Sequence, residues 1–384
     1  MKIFFLTGSL VHGGAERHTI TLSNRLAERG HECHFAYVKN DPSQLERLRG
    51  AASVRCLHAE KFLDWQAVKA LRAELRDKHP DVVVAANQYA LMYASFAIKT
   101  SGMKVPLAVT YHTTLLRNTK EWLQMLWYRP FFWSADRAIF VCEAQREHWA
   151  QRKVYARRNE VIYNGVDLEH WRPGTAEEKA TIRGVLGFAE DDFVVGMSAV
   201  LRKEKNHQQL VHAIARLRRR GIPARALLIG DGEMRPAIEA RARSLGVAGE
   251  VSITGFQQDV RPLVGACDAV ALCSTAVETF SLAALEAMAL GRPVVHSDVG
   301  GAAEMIRPGR NGFLFPVNDT AALVERLAAL AERGTCQRMG ARAREAVEAR
   351  FSERAMVERY EKTFLELATT RSKHANLRKP AGAH

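Results

Sequence analysis

No stretch of this 384-residue sequence approaches the roughly 18–20 consecutive apolar residues that a membrane-spanning helix needs. The six cysteines form no Cys-x-x-Cys pair, and most of them fall in strand-like runs. We therefore expect reduced cysteines in a cytoplasmic protein rather than a disulfide framework. The sequence also has no Asp-x-Asp motif for a chelated metal, so we predict that the protein uses neither a metal nor a cofactor.

Positive charge is in excess, because 55 Lys and Arg residues face 42 Asp and Glu residues, which leaves a net charge of +13. Such a balance attracts nucleotides, nucleic acid or an anionic membrane surface. Nucleic acid needs an aromatic platform or a recognition motif, and the sequence shows neither, so we predict no nucleic-acid partner. Peripheral contact with the inner face of the cytoplasmic membrane stays open, as does the oligomeric state.

The sequence predicts strands and helices that alternate from end to end. Strands are expected near residues 2–7, 33–38, 53–57, 81–86, 106–111, 137–142 and 160–163, and again near 193–199, 225–229, 250–254, 268–273, 293–297 and 312–315. Such alternation is typical of parallel sheets with helices on both faces. Asn-Gly and Pro-Gly pairs interrupt it near 164–174. We therefore predict an α/β protein with two doubly wound, Rossmann-like domains, residues 1–170 and 171–350, that face a cleft.

Two glutamates eight residues apart, Glu278 and Glu286, stand out between two predicted strands. Residues 279–290 are rich in Ala and Leu and predict a helix. Glu278 would precede that helix, next to amides that lack intrahelical partners and favour an anion, namely those of Phe280, Ser281 and Leu282. Eight residues of helix span roughly 12 Å. This layout suits a ligand with hydroxyls at one end, a diphosphate and a ribose diol, although the spacing alone often arises by chance.

Three further groups follow predicted strands. Adjacent glycines, Gly13 and Gly14, open a helix where a backbone can approach a phosphate closely, or where a turn is simply tight. His112 ends a strand at the edge where parallel sheets bind ligands, or it is a core histidine. Arg202 and Lys205 supply cations that could stabilise a leaving diphosphate, or they are merely solvated.

Taken together, these motifs resemble the retaining glycosyltransferases of family 4, and the resemblance covers nearly the whole chain. The matching motifs are Gly13-Gly14-Ala15-Glu16, Tyr111-His112, Asn164-Gly165-Val166-Asp167, Glu204-Lys205-Asn206, Gly230-Asp231-Gly232, Gly255-Phe256, Glu278 with Glu286, Gly291-Arg292-Pro293 and Gly312-Phe313-Leu314-Phe315. The resemblance implies the GT-B fold. It also implies transfer of a sugar from a nucleoside diphosphate sugar, UDP-linked by preference, to a glycan or lipid-linked acceptor in cell-envelope polysaccharide synthesis.

By the same resemblance, Glu278 contacts the donor sugar and Glu286 the ribose diol. The amides of residues 280–282 bind sugar and phosphate, and Lys205 and Arg202 hold the diphosphate. One departure concerns the arginine, since many family members place it five residues before the lysine and this sequence has Val200 there. The role of Arg202 is therefore open.

The remaining implied roles lie on both predicted domains. The Gly13–Gly14 loop would close over the diphosphate, and His112 would approach the donor sugar or the acceptor oxygen. Asn164 joins the donor-binding set through its motif, and Gly255–Phe256 would border the base. The amphipathic helix 351–369 would return to the first domain.

Two segments lie outside that scheme. Residues 121–133 carry many aromatic side chains beside basic ones, which is typical of a core helix but also of an acceptor-binding or membrane-facing surface. The basic tail, residues 370–384, is polar and is predicted to be disordered.

Two other classes of function remain as alternatives. A nucleotide-sugar epimerase with the GT-B fold would need no acceptor, and a non-catalytic module would bind a nucleotide sugar without turning it over. Both glutamates, His112 and Lys205 occur together in this sequence, and that combination favours the transferase.

Overall fold

The computed structural model of the protein describes residues 1–11, 13–113, 119–276, 278–332 and 334–376. The chain forms two compact units. The first unit contains Met1–Tyr163 together with the chain from Met356 onward, and the second contains Asn164–Ala355. The division therefore lies a few residues before the predicted boundary at 170, and the second unit ends a few residues after 350.

The first unit is built on a seven-stranded parallel sheet with the order β3-β2-β1-β4-β5-β6-β7 among the described residues. Its strands are β1 (Lys2–Thr7), β2 (Glu32–Tyr37), β3 (Ser53–Cys56), β4 (Val82–Ala86), β5 (Leu107–Tyr111), β6 (Arg137–Phe140) and β7 (Arg158–Val161). The helices that lie between these strands in the chain are α1 (Gly14–Glu28), α2 (Trp65–Lys78), α3 (Asn87–Ser101), α4 (Thr119–Ser134) and α5 (Glu143–Gln151). All residues of β4 are buried, as expected of a strand covered on both faces.

The second unit contains a six-stranded parallel sheet with the order β10-β9-β8-β11-β12-β13, again counted over the residues that the structure describes. Its strands are β8 (Phe193–Ser198), β9 (Ala224–Ile229), β10 (Val251–Ile253), β11 (Ala269–Leu272), β12 (Val294–Ser297) and β13 (Gly312–Phe315). Its helices are α6 (Ala176–Val185), α7 (His207–Arg219), α8 (Arg235–Ser244), α9 (Arg261–Ala266), α10 (Leu282–Ala289), α11 (Ala302–Met305), α12 (Thr320–Ala331) and α13 (Thr335–Arg350).

Both sheets are doubly wound, which confirms the predicted fold class. In each sheet the strand order reverses once, between β1 and β4 in the first unit and between β8 and β11 in the second. Open parallel sheets bind ligands at such a switch point, outside the carboxyl ends of the strands. The loops that follow β8 and β11 are therefore where a ligand site is expected in the second unit.

The last helix, α14 (Glu353–Asn376), packs on the first unit. Its apolar stripe, which includes Tyr360 and Phe364, is buried against β1 residues such as Ile3 and Phe5. Residues 370–376 were predicted to be disordered, and this prediction is wrong because they continue the helix. No Gly or Pro interrupts the hydrogen-bond ladder before Pro380. Residues 377–384 of the predicted tail lie outside the described residues.

Gly165 lets two segments of the second unit, residues 165–166 and 351–353, approach each other closely. The Val166 amide donates to the Phe351 carbonyl at 2.9 Å, and the Glu353 amide donates to the Val166 carbonyl at 2.9 Å. A Cβ atom at Gly165 would lie 2.6 Å from the Glu353 Cα and 2.7 Å from the Ser352 carbonyl oxygen. These neighbours are backbone atoms, so they cannot move aside as a flexible side chain would.

We expect Gly165→Ala to lower the free energy of unfolding of the second unit by about 1–3 kcal/mol, the usual cost of overpacking. Gly184→Ala is the matched control, because Gly184 is exposed in α6 and an added Cβ meets nothing within 4 Å. The control should be stabilised by about 0.5–1 kcal/mol, since alanine restricts the unfolded chain more than glycine does. Urea denaturation of both variants checks this, and equal behaviour of the two would contradict it.

Candidate functional site

An ion pair joins the two loops at the switch point of the second sheet. Lys205 ends a short 3₁₀ turn after β8, and Glu278 lies in the loop after β11. The Lys205 Nζ lies 2.5 Å from the Glu278 Oε2, and the side chains are 25% and 14% exposed. The Ser274 hydroxyl donates to the same carboxylate oxygen at 3.0 Å. The predicted neighbours Lys205 and Glu278 are therefore brought together by the fold.

The protonation of Glu278 depends on this partner. Burial by itself raises the pKa of the Glu278 carboxyl, but the Lys205 ammonium and the hydrogen bonds outweigh it, so the pKa lies below the ordinary value. Glu278 is thus a charged carboxylate held inside the protein. An ionised carboxylate only accepts hydrogen bonds, which suits it to receive hydroxyl donors from a ligand.

His296, at the end of β12, lies beside this pair and was missed by the sequence analysis. Its ring is fully buried, its Nδ1 lies 2.6 Å from the Ser297 carbonyl oxygen, and its Nε2 has no hydrogen-bond partner among the described residues. Burial lowers the pKa of His296, although the Glu278 carboxylate opposes that shift. The signal that pointed to His112, a histidine at a strand end, would have found His296 as well.

The helix predicted over 279–290 begins later than expected, at Leu282. Ser281 is its N-cap, and the Ser281 hydroxyl accepts from the Ala284 amide at 3.3 Å. Serine is a preferred N-cap because its oxygen satisfies an otherwise unpaired amide. Of the three predicted amides, only Leu282 belongs to the first turn. Over the part of the chain that the structure describes, the amides of Leu282 and Ala283 have no hydrogen-bond partner.

Glu286 and Asn164 are both buried near this helix, each 6% exposed. Glu286 lies in the middle of α10. The Asn164 side-chain amide donates to the Phe280 carbonyl at 3.1 Å, and its Oδ1 is buried without a partner among the described residues. Asn164 therefore supports the chain just before the N-cap of α10, while the ribose contact of Glu286 stays a prediction.

A second pair of glycines, Gly300 and Gly301, supports the Glu278 loop and was also missed. Gly300 has a φ of 58°, and a Cβ there would lie 1.8 Å from the Glu278 carbonyl oxygen. The Gly301 amide donates to the Thr279 carbonyl at 2.7 Å. Only glycine fits a left-handed position pressed against backbone in this way. The available signal was a Gly-Gly pair directly after a predicted strand.

The loop that carries Lys205 rests on the Gly230–Gly232 turn. A Cβ at Gly230 would collide with the Ala199 carbonyl oxygen, and the Leu201 amide donates to the Asp231 carbonyl at 2.9 Å. The side chain of Arg202 is exposed and makes no hydrogen bond or ion pair with any described residue. The structure therefore places Lys205, but not Arg202, in the cluster with Glu278.

Gly255 and Phe256 lie after β10, at the same edge of the second sheet. Gly255 adopts a φ of 73°, and Phe256 is 79% exposed. An exposed aromatic ring is available for stacking, so the expected contact with a base stays a prediction.

In the first unit, His112 packs against a second histidine that the sequence analysis missed. The His112 amide donates to the Asn87 Oδ1 at 3.0 Å, and its ring centroid lies 4.5 Å from that of His18 in α1. Burial lowers the pKa of His112 to about 4 and that of His18 well below its ordinary value. Both rings are therefore neutral at pH 7, so His112 could accept a proton but offers no positive charge.

Gly13 and Gly14 open α1, as predicted, with Gly13 as the N-cap. Gly13 has an extended backbone with a φ of −156°, so conformational freedom does not explain it. An added Cβ at Gly13 would meet the Glu16 carboxylate, whereas one at Gly14 would meet nothing within 4 Å. The expected phosphate contact stays a prediction, and the adjacent His12 lies outside the described residues.

Among the described residues, no group of three or more His, Cys, Asp or Glu side chains is placed to hold a metal ion. None of the described helices combines the length and the apolar character needed to cross a membrane.

Two family models match this chain. The model for Glycosyltransferase Family 4 matches residues 12–170, and the model for Glycosyl transferases group 1 matches residues 178–346. The chain belongs to the family 4 glycosyltransferases. The resemblance drawn from its motifs is therefore confirmed, and the GT-B fold of this family accounts for its two doubly wound units.

Relatives of this family 4 glycosyltransferase include two bacterial proteins. The chain is 32% identical to EpsD of Bacillus subtilis over 244 residues, which are 62% of this chain and 63% of EpsD, less than two thirds of that relative. It is 28% identical to LpsE of Rhizobium meliloti, a lipopolysaccharide core biosynthesis glycosyltransferase, over 91% of this chain and 94% of LpsE. Among solved structures, Anabaena HepE in complex with UDP-glucose matches with a TM-score of 0.83 at 25% identity, covering 95% of this chain and 100% of HepE.

Removing Lys205 should leave Glu278 buried without its cation. We expect Lys205→Met to cost about 3 kcal/mol in the free energy of unfolding near neutral pH, as for other broken buried pairs. In the wild type the pKa of Glu278 is depressed, so its stabilisation is present above the ordinary value of 4.5 and is lost as the pH falls. In the variant the Ser274 hydrogen bond remains, but the Lys205 ammonium no longer opposes burial, which raises the pKa of Glu278. The deficit should therefore grow between about pH 4 and pH 7.

Urea denaturation at the two pH values measures that deficit. The double variant Lys205→Met/Glu278→Gln should regain most of the lost stability, because no unpaired charge is left. A deficit of equal size at both pH values would contradict the assignment of Lys205 as the partner that keeps Glu278 charged.

Proposed function

We propose that this protein transfers a sugar from a UDP-linked donor to a hydroxyl of a glycan or lipid-linked acceptor in cell-envelope polysaccharide synthesis. The observation that carries the proposal is the Lys205–Glu278 ion pair at the switch point of the second sheet. Glu278 lies in the chain just before the unpartnered Leu282 and Ala283 amides at the N-terminus of α10. A carboxylate, an ammonium and helix amides together match a sugar that is joined to a diphosphate.

Each group of this site suits a different part of the donor. The Glu278 carboxylate accepts hydrogen bonds from sugar hydroxyls, and the Lys205 ammonium donates to diphosphate oxygens. The helix amides and the helix dipole favour the negative phosphates. When the donor binds, Lys205 would be shared between Glu278 and the diphosphate, so the pair is a preorganised receptor.

The names of two relatives support the class of donor and product. The HepE structure contains UDP-glucose, and LpsE is named for lipopolysaccharide core biosynthesis. The chain matches both over more than nine tenths of its length. A uridine donor and an envelope glycan are therefore the substrates that we propose for this protein.

We infer retention at the anomeric carbon by departure and attack on the same face. The bond between the anomeric carbon and the diphosphate oxygen breaks, and an oxocarbenium-like state develops. The acceptor oxygen then bonds to that carbon, and its proton passes to the leaving phosphate. Lys205 and the helix amides would stabilise the charge on that phosphate, so the proposed step needs neither a metal nor a second nucleophilic carboxylate.

An epimerase and a non-catalytic binding module are the rival functions. An epimerase would convert the donor without an acceptor, and a binding module would take up UDP-sugar without releasing UDP. Incubation of UDP-glucose with and without a glycan acceptor, followed by analysis of sugar products and free UDP, distinguishes the three. Acceptor-dependent release of UDP supports the transferase.

We expect Lys205→Ala to lower kcat by about 10²–10³, the scale for losing one preorganised charge stabiliser. Lys203→Ala is the matched control, since Lys203 is exposed on the same turn and makes no ion pair with the described residues. The control should keep its kcat within about twofold, because a solvated surface charge contributes little. Steady-state release of UDP measures both. A Lys205→Ala variant that changes only KM would contradict the role in leaving-group stabilisation.

An exposed surface of the first unit supports binding to an anionic membrane, where a lipid-linked acceptor would be located. α4 was predicted to be either a core helix or an acceptor-binding or membrane-facing surface. It has one buried face and one exposed face. Its inner face buries Met125, Tyr128 and Phe132, and its outer face exposes Trp122, Leu123, Trp127 and Trp133 by 46%, 56%, 54% and 45%. Clustered exposed aromatic side chains of this kind are typical of interaction surfaces.

The exposed aromatic surface extends beyond α4. Ring contacts run from Trp127 to Phe131, Phe96 and Trp65, with centroid separations of 6.3, 5.3 and 5.3 Å. Neither α3 nor residues 122–134 contain an acidic residue. Tryptophan at a membrane interface beside positive charge is a recognised pattern for peripheral binding.

We expect Leu123→Ser to weaken sedimentation with anionic liposomes by about tenfold, because burying a leucine contributes about 1.5–3 kcal/mol. Leu365→Ser is the control, since Leu365 is 45% exposed on α14, another helix of the same unit. The assay compares neutral phosphatidylcholine vesicles with vesicles that also contain phosphatidylglycerol. Equal losses for both leucines, or no binding of the wild type, would sink the membrane assignment.

A further inference from the structure

The second unit also contains an open cavity of about 870 Å³ away from the Lys205–Glu278 pair. It is lined by the chain leading into α6, by α6 itself, by α9 and by the turn after α10. Neither Lys205 nor Glu278 lines it. Its volume falls within the roughly 300–1,000 Å³ of small-molecule sites.

Arg292 lines this cavity and has no ion-pair partner among the described residues. Its side chain is half-buried, and its Nε is fully buried without a hydrogen-bond partner in that part of the chain. Across the described ranges, the Arg292 guanidinium makes no hydrogen bond or ion pair with any residue. Burial lowers the pKa of Arg292. Guanidinium groups are almost always paired when buried, because removing an unpaired charge from water is unfavourable.

Asp268, the carboxylate whose charge acts on Arg292, already pairs with two other cations. Lys179 Nζ lies 2.7 Å from one Asp268 oxygen, and Arg183 Nη2 lies 2.6 Å from the other. The Val194 amide also donates to that second oxygen at 2.8 Å. Two cations therefore share this carboxylate, and Arg292 is not hydrogen-bonded to it.

The other charged groups around the cavity are of both signs. Glu177 is an exposed carboxylate, and the Glu178 carboxylate accepts from the Thr175 amide at 2.7 Å. The Arg172 side chain lines the cavity, is exposed and has no partner among the described residues. The Arg261 guanidinium lies 2.7 Å from the Asp259 carboxylate and 3.1 Å from the His170 carbonyl. The cavity thus offers two unpaired guanidinium groups, Arg292 at its wall and Arg172 at its surface.

We propose that this cavity binds a small phosphate-bearing molecule, whose phosphate pairs with the Arg292 guanidinium. Arginine presents a planar fork of donors that matches phosphate oxygens. The bound anion would supply an acceptor that Arg292 does not find in Asp268, and the remaining volume has room for an organic group. The proposal concerns a site apart from the donor site and does not depend on the proposed transferase activity.

Thermal unfolding in sodium phosphate, compared with sodium chloride at equal ionic strength, tests this site. All measurements use the Lys205→Gln background, so that phosphate bound at the donor site does not contribute. We expect phosphate to raise the Tm, because a ligand that binds the folded state stabilises it by mass action. A second arm replaces inorganic phosphate with glucose 6-phosphate and reports whether an organic group is accommodated.

Arg292→Gln should weaken the apparent affinity for phosphate by at least tenfold, and its Tm in chloride should not fall, because an unpaired charge is removed. Arg310→Gln is the control, an exposed arginine of the same unit outside the cavity. If Arg292→Gln does not fold, Arg292→Lys replaces it and should also weaken binding, since lysine lacks the fork. A phosphate response that is absent from the Lys205→Gln protein, or that survives both Arg292 substitutions, would overturn the proposal.

Discussion

The charge of Glu278, held inside the second unit by Lys205, is the constraint on which the candidate site depends. Burial raises the pKa of this carboxyl, which is 14% exposed, and the Lys205 ammonium outweighs that effect. Lys205 reaches it because β8 and β11 are neighbours in the sheet. Gly300 and the Gly230–Gly232 turn hold the two loops by close backbone contacts. The acid and its partner are therefore preorganised before any ligand binds.

The second unit contains buried charges of two kinds, one paired with an opposite charge and one without an ion-pair partner among the described residues. At the switch point a cation meets a carboxylate, and the pair can turn its remaining donors and acceptors toward a donor sugar and diphosphate. At the cavity beside α6, Lys179 and Arg183 pair with Asp268, and Arg292 has no ion-pair partner among the described residues. A buried group that lacks a partner raises the free energy of the folded state. The Lys205–Glu278 pair suits a ligand with hydroxyl groups at one end and a diphosphate at the other. Arg292 indicates a separate site for an anion.

Much of the fold could be predicted because local patterns and the fold agree. Buried parallel strands are continuous apolar runs, so predictions such as 312–315 coincide with β13. The start of α10 was misplaced by three residues, since Ala- and Leu-rich composition extends the pattern while the Ser281 cap decides where the helix begins. No role was predicted for His18, His296 or Arg292 by itself, because a single histidine or arginine carries no periodic signal and its importance arises from distant neighbours.

The sequence by itself determined the class of fold, the family and the loops that carry Lys205 and Glu278, because these follow from periodicity and short motifs. The tertiary structure alone decided that these two side chains form an ion pair, that His18 packs against His112, and that Asp268 pairs with Lys179 and Arg183 rather than with Arg292. Such relations join residues far apart in the chain, such as Lys179 and Asp268. They depend on burial, which makes a charge or an imidazole respond to its neighbours, and burial exists only once the chain has folded.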